Sequence, residues 1–497
     1  MAAINLTTDL SSHKTLLAFS VLVYWFGLAI YRLFFHPLSK YPGPLLGKLT
    51  SLYMTGTTAL GHNTYTRYAL HQKYGNVVRT GPNELCFADQ ESIKAIYGQT
   101  SEPCRKAPCF YKGFTMTGTE SVFSTTDRDL HVRMRRLLSH GFSQKGVLQF
   151  EADIARMVER YLDVVGTKAN AARSRVDLYD VTHHLFLDIT SHLAFAQSFN
   201  ALGGKPHQAA ADIDTYFTIC PLFGQLPAAR YLPFGPFRAA RQAQPRIVRA
   251  VQANIDVFRQ QLREGTANSG LLRHMVEAKD TEAGDAHLSD FEMIENSVIF
   301  IIAGSGTSAT TVLYLLYEMA KRPEMQHRLE SEIRQAFPDP AIFPDYDTAN
   351  KLPVLNCVLQ ETLRLRGPLQ SVAPRVSPGK VIGSTFVPAG VIVSNLQYAT
   401  HRDPTVFTDP LEFQPERWET ATPEMKTMTR PFSIGPRNCI GMHLARVQML
   451  LTVCALYQRF ELTLDPQTTD DMMDMRDLGL MAPVGKQLWM RVVPRST

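Results

Sequence analysis

Hydrophobic and polar positions divide the chain into one uninterrupted apolar run followed by a long series of helix-period segments. No charged residue occurs between Thr15 and Tyr31, and Leu33-Phe34-Phe35 carries the run past Arg32. About 20 apolar residues span a bilayer core, and an arginine near the end of such a run can reach back to the interface. The run is long for the apolar part of a cleaved leader, and no small-residue cleavage site follows it. Residues 15–35 are therefore expected to form a retained transmembrane anchor behind a short lumenal tail, residues 1–14. Arg32, Lys40 and Lys48 after the run, against Lys14 and Asp9 before it, place the bulk of the protein in the cytosol. Residues 36–46, rich in proline, form a stiff connector that cannot continue the helix.

The remainder, residues 47–497, reads as one domain. Helix patterns cover 61–73, 91–97, most of 127–278, 288–322, a segment ending near Phe337, 354–366 and 440–460. Short alternating segments at 77–80 and 85–87, and others within 380–397, predict hairpins and a small sheet. Residues 98–125 and 402–431 read as irregular. The apolar, Pro/Gly-rich stretch 221–237 interrupts the helical pattern; it is expected to pack against the core, to line a pocket or to dip into the membrane. Residues 477–493 are expected to form one closing hairpin. The fold class is mainly α with a minor β-sheet region.

The segment Ser297–Tyr317 carries no charge, which would allow a second membrane span. Its centre, Ala303-Gly304-Ser305-Gly306-Thr307, is small and polar, which suits a helix crossing a protein core with something lying against it. Each mid-helix glycine costs about 1 kcal/mol relative to alanine, a cost often offset by a kink or a close approach.

Composition narrows the function classes. The chain has 497 residues, 45% hydrophobic, 20% charged, with a net charge of +5, which does not point to nucleic acid. Its 7 cysteines are scattered, with no C-x-x-C pair to build a zinc site, as expected of a reducing compartment. Cys439 stands apart. It lies in Phe432-Ser-Ile-Gly-Pro-Arg-Asn-Cys-Ile-Gly441, where a loop becomes a helix, and Gly441 leaves room for a flat ligand beside the backbone. A sulfur there feels the positive helix end, which favours thiolate. Taken alone, it is either a buried free thiol or the ligand of a metal centre. Glu361 and Arg364 sit at i and i+3 on one helix face, and Arg417 follows in Pro415-Glu-Arg-Trp418.

These motifs, in this order, resemble the cytochromes P450. The resemblance covers essentially the whole chain and rests on Phe432-x-x-Gly435-x-Arg437-x-Cys439-x-Gly441, Glu361-x-x-Arg364, Arg417 and Ala303-Gly304-x-x-Thr307. The anchor and phrases such as Arg402-Asp-Pro404 look most like the microsomal type and fungal members from secondary metabolism. The resemblance implies a P450 fold, haem b as cofactor, and insertion of one oxygen atom from O2 into a hydrophobic small molecule. A haem-thiolate isomerase or dehydratase, and a non-catalytic haem sensor, are the alternatives. It makes Cys439 the axial iron ligand. Arg437, Arg375 and Arg135 would bind haem propionates, with His131 standing where the family usually has tryptophan. Phe432 and Gly441 would border the haem, and Glu361, Arg364 and Arg417 would form a buried structural triad. Ala303, Gly304 and Thr307 would face the oxygen side, where Gly306 replaces the family's usual acid. The substrate pocket would draw on Phe110, Phe114, Phe123, Phe300, Leu369, Val372 and Leu480. Electrons would come from NADPH through a cytochrome reductase, with cytochrome b5 as an optional second donor, docking at Arg128, Arg133, Arg136 and Lys145. The implied location is the endoplasmic reticulum membrane, single-pass, with the catalytic domain cytosolic.

Overall fold

The computed structural model describes residues 6–495 apart from 196, 205–207, 267–269, 280–286, 372 and 478. Helix α1 (Leu6–Ile30) continues as a π-helical turn, Tyr31–Phe35, and then breaks at the prolines. Its apolar side chains, among them Leu16, Phe19, Leu22 and Phe26, are exposed, and the span His13–Phe35 is long and apolar enough to cross a membrane. Short helices α2 (Leu45–Leu49) and α3 (Leu52–Ala59) lead to α4 (Asn63–Tyr74), the hairpin β1 (Val77–Gly81) and β2 (Glu84–Phe87), and α5 (Gln90–Tyr97). The segment 98–125, expected to be irregular, holds β3 (Arg105–Lys106), one turn of helix, α6 (Pro108–Tyr111), and a 3-10 turn at Lys112–Phe114. The helical block follows: α7 (Arg128–Phe142), α8 (Gln144–Leu148), α9 (Glu151–Ala171), β4 (Arg175–Asp177), α10 (Leu178–Phe195), α11 (Gln208–Gln225), α12 (Gly235–Glu264) and α13 (Leu271–Glu277). Next come α14 (Asp290–Ala320), α15 (Pro323–Ala336), α16 (Tyr346–Ala349) and α17 (Pro353–Arg366). The chain ends with β5 (Arg375–Val376), β6 (Lys380–Ile382), β7 (Thr385–Val387), β8 (Ile392–Asn395), α18 (Gln397–Thr400), α19 (Pro423–Met428), α20 (Met442–Arg459), β9 (Phe460–Leu464), β10 (Met475–Asp477), β11 (Met481–Pro483) and β12 (Trp489–Pro494).

Helix α14 is the axis of the core, packed against α10, α12, α17 and α20. It starts at a capping box in which Ser289 and Glu292 each satisfy the other's backbone N–H. Most of its side chains are buried, so its apolar length reflects a protein core and not a second membrane span. A five-stranded sheet in the order β1-β2-β8-β5-β3 flanks the helices, with β8 parallel to β2 and the other pairs antiparallel.

Two expectations need correction. Residues 221–237 are not one interruption: α11 continues through Pro221 to Gln225. Proline removes the N–H that would bond Phe217 O, and the Cys220 thiol donates to that carbonyl instead (3.4 Å). The tail is likewise not one hairpin. β10 pairs with β11, whereas β12 lies between β4 and β9 in a separate sheet.

The Glu361 carboxylate, fully buried, organises the coil-like stretch before the cysteine loop. Arg364 Nε and Nη2 donate to it at 2.8 and 2.7 Å, Arg417 Nε at 3.1 Å, Trp418 Nε1 at 2.8 Å and Gln414 N at 2.9 Å. Removing one member of a buried pair strands the other charge without solvent. Glu361→Gln should lower stability by about 3–5 kcal/mol, read as a shift of the urea midpoint at unchanged slope.

Candidate functional site

The accessibility of α14 changes abruptly along its length. Residues 292–301 and 308–319 are buried, but Ile302 to Thr307 between them are not, and Ala303 is exposed in the middle of the protein's most enclosed helix. That window is accessible between two buried stretches of the same helix. Its two glycines have separate reasons. A Cβ on Gly304 would lie 2.6 Å from Thr190 Cγ2, so Gly304 lets α10 cross closely. A Cβ on Gly306 would lie 2.9 Å from Leu480 Cδ1, so the β10–β11 turn sets an apolar side chain against the notch. Thr307 Oγ1 donates to Ala303 O (2.6 Å), leaving its lone pairs as acceptors. Gln448 of α20 bridges Gly304 O (3.2 Å) and Ser308 Oγ (2.6 Å), tying the helix that follows the cysteine loop to this window.

In the cysteine loop, Gly435 has φ +72° and a Cβ there would meet Tyr97 O at 2.2 Å, so only glycine fits. Cys439 N donates to Phe432 O (2.9 Å), closing the loop on itself. Cys439 is accessible to solvent, and a Cβ on Gly441 would have the sulfur, 4.0 Å away, as its only near neighbour. The space beside the sulfur is open. Although the residue reaches solvent, the protein packed around its sulfur pushes the Cys439 thiol up, with the Gly441 N–H and the Arg135 charge acting the other way.

At the edge of the site, positive groups converge. Arg135 Nη1 and Nη2 hold Asn438 O and Oδ1 (2.7 and 2.6 Å), next to the cysteine. Arg437 binds Thr125 O (3.0 Å) and Asp127 O (2.9 Å), and Arg375 binds Tyr111 Oη (2.7 Å). Lys106 joins them: it is buried, donates to Phe123 O and lies 4.5 Å from the Tyr111 ring centre. None of these cations forms an ion pair with a carboxylate among the described residues. Burial, then repulsion from Arg375, pushes Arg437 down to about 10. Lys106 is driven well below its usual range by burial and then by Arg375, Arg437 and Arg135. His131, buried beside them, is held down to about 3 by burial and then by Arg437, Lys106, Arg135 and Arg375. Convergent like charges, Lys106 and Arg375 buried and Arg135 and Arg437 half-buried, fit a guest bearing carboxylates, the chemistry of haem propionates.

The chain matches the cytochrome P450 family model over residues 37–490. It belongs to the cytochrome P450 family. Among its relatives, cytochrome P450 monooxygenase ORF9 of Penicillium roqueforti is 30% identical, the match covering 91% of this chain and 88% of that protein. Cytochrome P450 monooxygenase BOT4 of Botryotinia fuckeliana is 31% identical over 87% of this chain and 82% of its own length. Averantin hydroxylase of Dothistroma septosporum is 30% identical over 96% and 90%. This P450 is therefore a haem-dependent monooxygenase by family.

Of the residues expected in the P450 site, Arg135 contacts the cysteine loop through Asn438, Arg375 and Arg437 lie near it and His131, and the α14 window is linked to α20 through Gln448. The aromatic residues are more dispersed. Phe114 packs on Phe110 (5.2 Å) and Phe123 (5.1 Å) in one cluster, while Phe300 is buried against Phe142 (4.7 Å). Leu369 is half exposed, and Val372 lies outside the described residues. Of the cations expected on the docking face, Arg133 turns to the buried Glu292 (2.6 Å). Sequence reasoning missed Lys106, Trp418 and Gln448. Lys106 carried no signal, being one lysine in an irregular stretch; Trp418 was visible inside Pro-Glu-Arg-Trp.

Two outcomes follow from the charge imbalance. In haem-depleted protein, Lys106→Met should raise stability by on the order of 1 kcal/mol, because it removes an unpaired buried cation. The same variant should retain haem less well in a transfer assay to apomyoglobin. His131 takes a proton near pH 6.5 in the unfolded chain but refuses it until about 3 in the fold. Stability of the haem-depleted protein should fall as pH drops through that window, and His131→Phe should flatten the fall in pH-dependent urea titrations.

Proposed function

We propose that this P450 hydroxylates or epoxidises an apolar small molecule in a secondary-metabolite pathway, working as a single-pass protein of the endoplasmic reticulum. The observation that carries the reading is an accessible window in the central helix, tied by Gln448 to the helix that follows the cysteine loop, together with cations beside that loop that have no carboxylate partner among the described residues. Cys439 would ligate the iron of haem b, and Arg135, Arg375, Arg437, His131 and Lys106 would hold its propionates. Bound there, haem supplies the one-electron and dioxygen chemistry that side chains lack.

This chain's own contribution is mostly exclusion and proton placement. Phe110, Phe114 and Phe123, with Phe114 tilted against Phe110 and edge to face with Phe123, supply apolar surface that suits a hydrophobic substrate. On the oxygen side the Thr307 hydroxyl is a donor that can be redirected into the site when it turns from Ala303 O. Gly306 brings no acid, and Leu480 occupies the adjoining notch, so further protons must arrive by water or from a substrate hydroxyl. That apolar notch also favours a second reading, a haem-thiolate isomerase or dehydratase with less need of protons. Terpenoid, polyketide and alkaloid substrates all fit the apolar lining; one relative is named for hydroxylating averantin.

Electrons would arrive from NADPH through a cytochrome reductase, with cytochrome b5 as an optional donor, at the face bearing Arg128, Arg136 and Lys145. Arg133 is committed to Glu292 and contributes less there. Around the anchor, exposed Leu45, Leu46, Leu52 and Leu60, with Tyr231 and Phe234 beyond α11, continue the apolar surface onto the catalytic domain.

Spectra and turnover test the reading. Reduced protein under carbon monoxide should show the red-shifted Soret band of thiolate ligation, and Cys439→Ala should abolish it; a surviving band would remove Cys439 from the iron. Product formation in a metabolite-producing host should require both NADPH and reductase. Turnover without either would instead establish the isomerase or dehydratase.

A further inference from the structure

A second set of unpaired cations sits at the junction of the anchor and the catalytic domain. Arg32, in the π-helical turn, donates from Nη1 to Leu49 O (2.5 Å), and Arg79 of β1 donates from Nη1 to Arg32 O (2.8 Å). The remaining bonds of Arg79 go to Pro82 O, at 3.2 and 2.6 Å. His36 Nδ1 accepts from Leu38 N (3.1 Å), which places the proton of the neutral ring on Nε2, a donor. Lys48 completes the group from α2. No carboxylate pairs with Arg32, Lys48 or Arg79 among the described residues. Lys48 and His36 are both held below their usual ranges, by burial first and then by Arg79.

The junction is rigid. A Cβ on Gly43 would meet Arg79 O at 2.1 Å and one on Gly47 would meet Thr80 O at 2.9 Å, so the connector is pressed onto β1 where only glycine fits. Arg79 N also donates to Pro42 O (2.8 Å). The cations are thus held in place directly beneath the anchor. Exposed Phe34 and Phe35 stand between Arg32 and His36 in the chain, and exposed Leu45 and Leu46 between His36 and Lys48, so accessible apolar side chains flank the charged ones. Such a pattern matches the depth at which acyl chains give way to headgroups.

We infer that Arg32, His36 and Lys48, backed by Arg79, form a binding site for the phosphate of an anionic phospholipid in the cytosolic leaflet. The inference rests on reading α1 as a membrane anchor. The phosphate supplies the missing counter-charge, while the flanking phenylalanines and leucines contact the acyl chains, which a soluble phosphate cannot offer.

The test uses the full-length holoenzyme in mild detergent, titrated with phosphatidic acid or phosphatidylcholine and read by native mass spectrometry. Phosphatidic acid should bind more tightly. Lys48→Gln should weaken it about fivefold, the weight of one basic side chain at an anionic surface. Lys48→Arg should restore binding, and Lys40→Gln, outside the group, should leave it unchanged. Equal binding of both lipids, an unaffected Lys48→Gln, or an equal loss with Lys40→Gln would overturn the site. Displacement of the lipid by equimolar inorganic phosphate would assign the group to a soluble anion and also overturn it. Flotation of the same protein with pure phosphatidylcholine vesicles tests the anchor separately: failure there removes the anchor, whereas flotation with no lipid preference removes only the phosphate site.

Discussion

The buried Glu361 carboxylate is the contact on which the cysteine side of the protein depends. A charge taken out of water is tolerated only when partners surround it, and here guanidinium, indole and backbone donors converge on both oxygens. Arg364 spends its other N–H groups on the carbonyls of His401, Pro410 and Glu412. His401 in turn contacts Arg364 O (2.9 Å) and the Arg430 N–H (3.4 Å), shortly before the cysteine loop. A stretch with almost no regular structure is thereby held as firmly as a helix. The loop that presents Cys439 inherits that rigidity.

Across the site the design is the opposite. The cation cluster has no carboxylate partner among the described residues, and its members depress one another. Fold stability and guest affinity therefore trade against each other at the same residues: what is repulsive in the protein alone becomes attraction for a dicarboxylate. The anchor junction repeats the arrangement on a smaller scale around Arg79. Both places keep polar donors uncommitted in sites that the surrounding packing has made rigid, so little ordering entropy is lost when an anion enters.

Local chemistry was legible in the sequence wherever the partner lies close along the chain or the geometry is carried by one residue. The loop-to-helix change at Cys439, the Glu361–Arg364 pair, the uncharged α14 and the unbroken apolar run of the anchor are of that kind. Helix periodicity located the long helices because it reflects which face is buried. It failed at Pro221, where a thiol from the preceding residue replaces the lost backbone donor, and at the tail, where β12 takes partners far away in the chain.

The sequence by itself determined the local elements: a cysteine on a glycine-flanked loop, an acid and an arginine one helical turn apart, and a helix interrupted by small residues. Only the tertiary structure decided which cations are left without counter-charges, because that is a sum over elements distant in sequence. Lys106 became part of the site only when β3 was laid beside β5. Gly306 likewise acquired its meaning in space. In the sequence it is a missing acid; in the fold it is the notch against which Leu480 rests. Periodicity records what each segment buries, but not what it is buried against, and the chemistry of this site lies in the second.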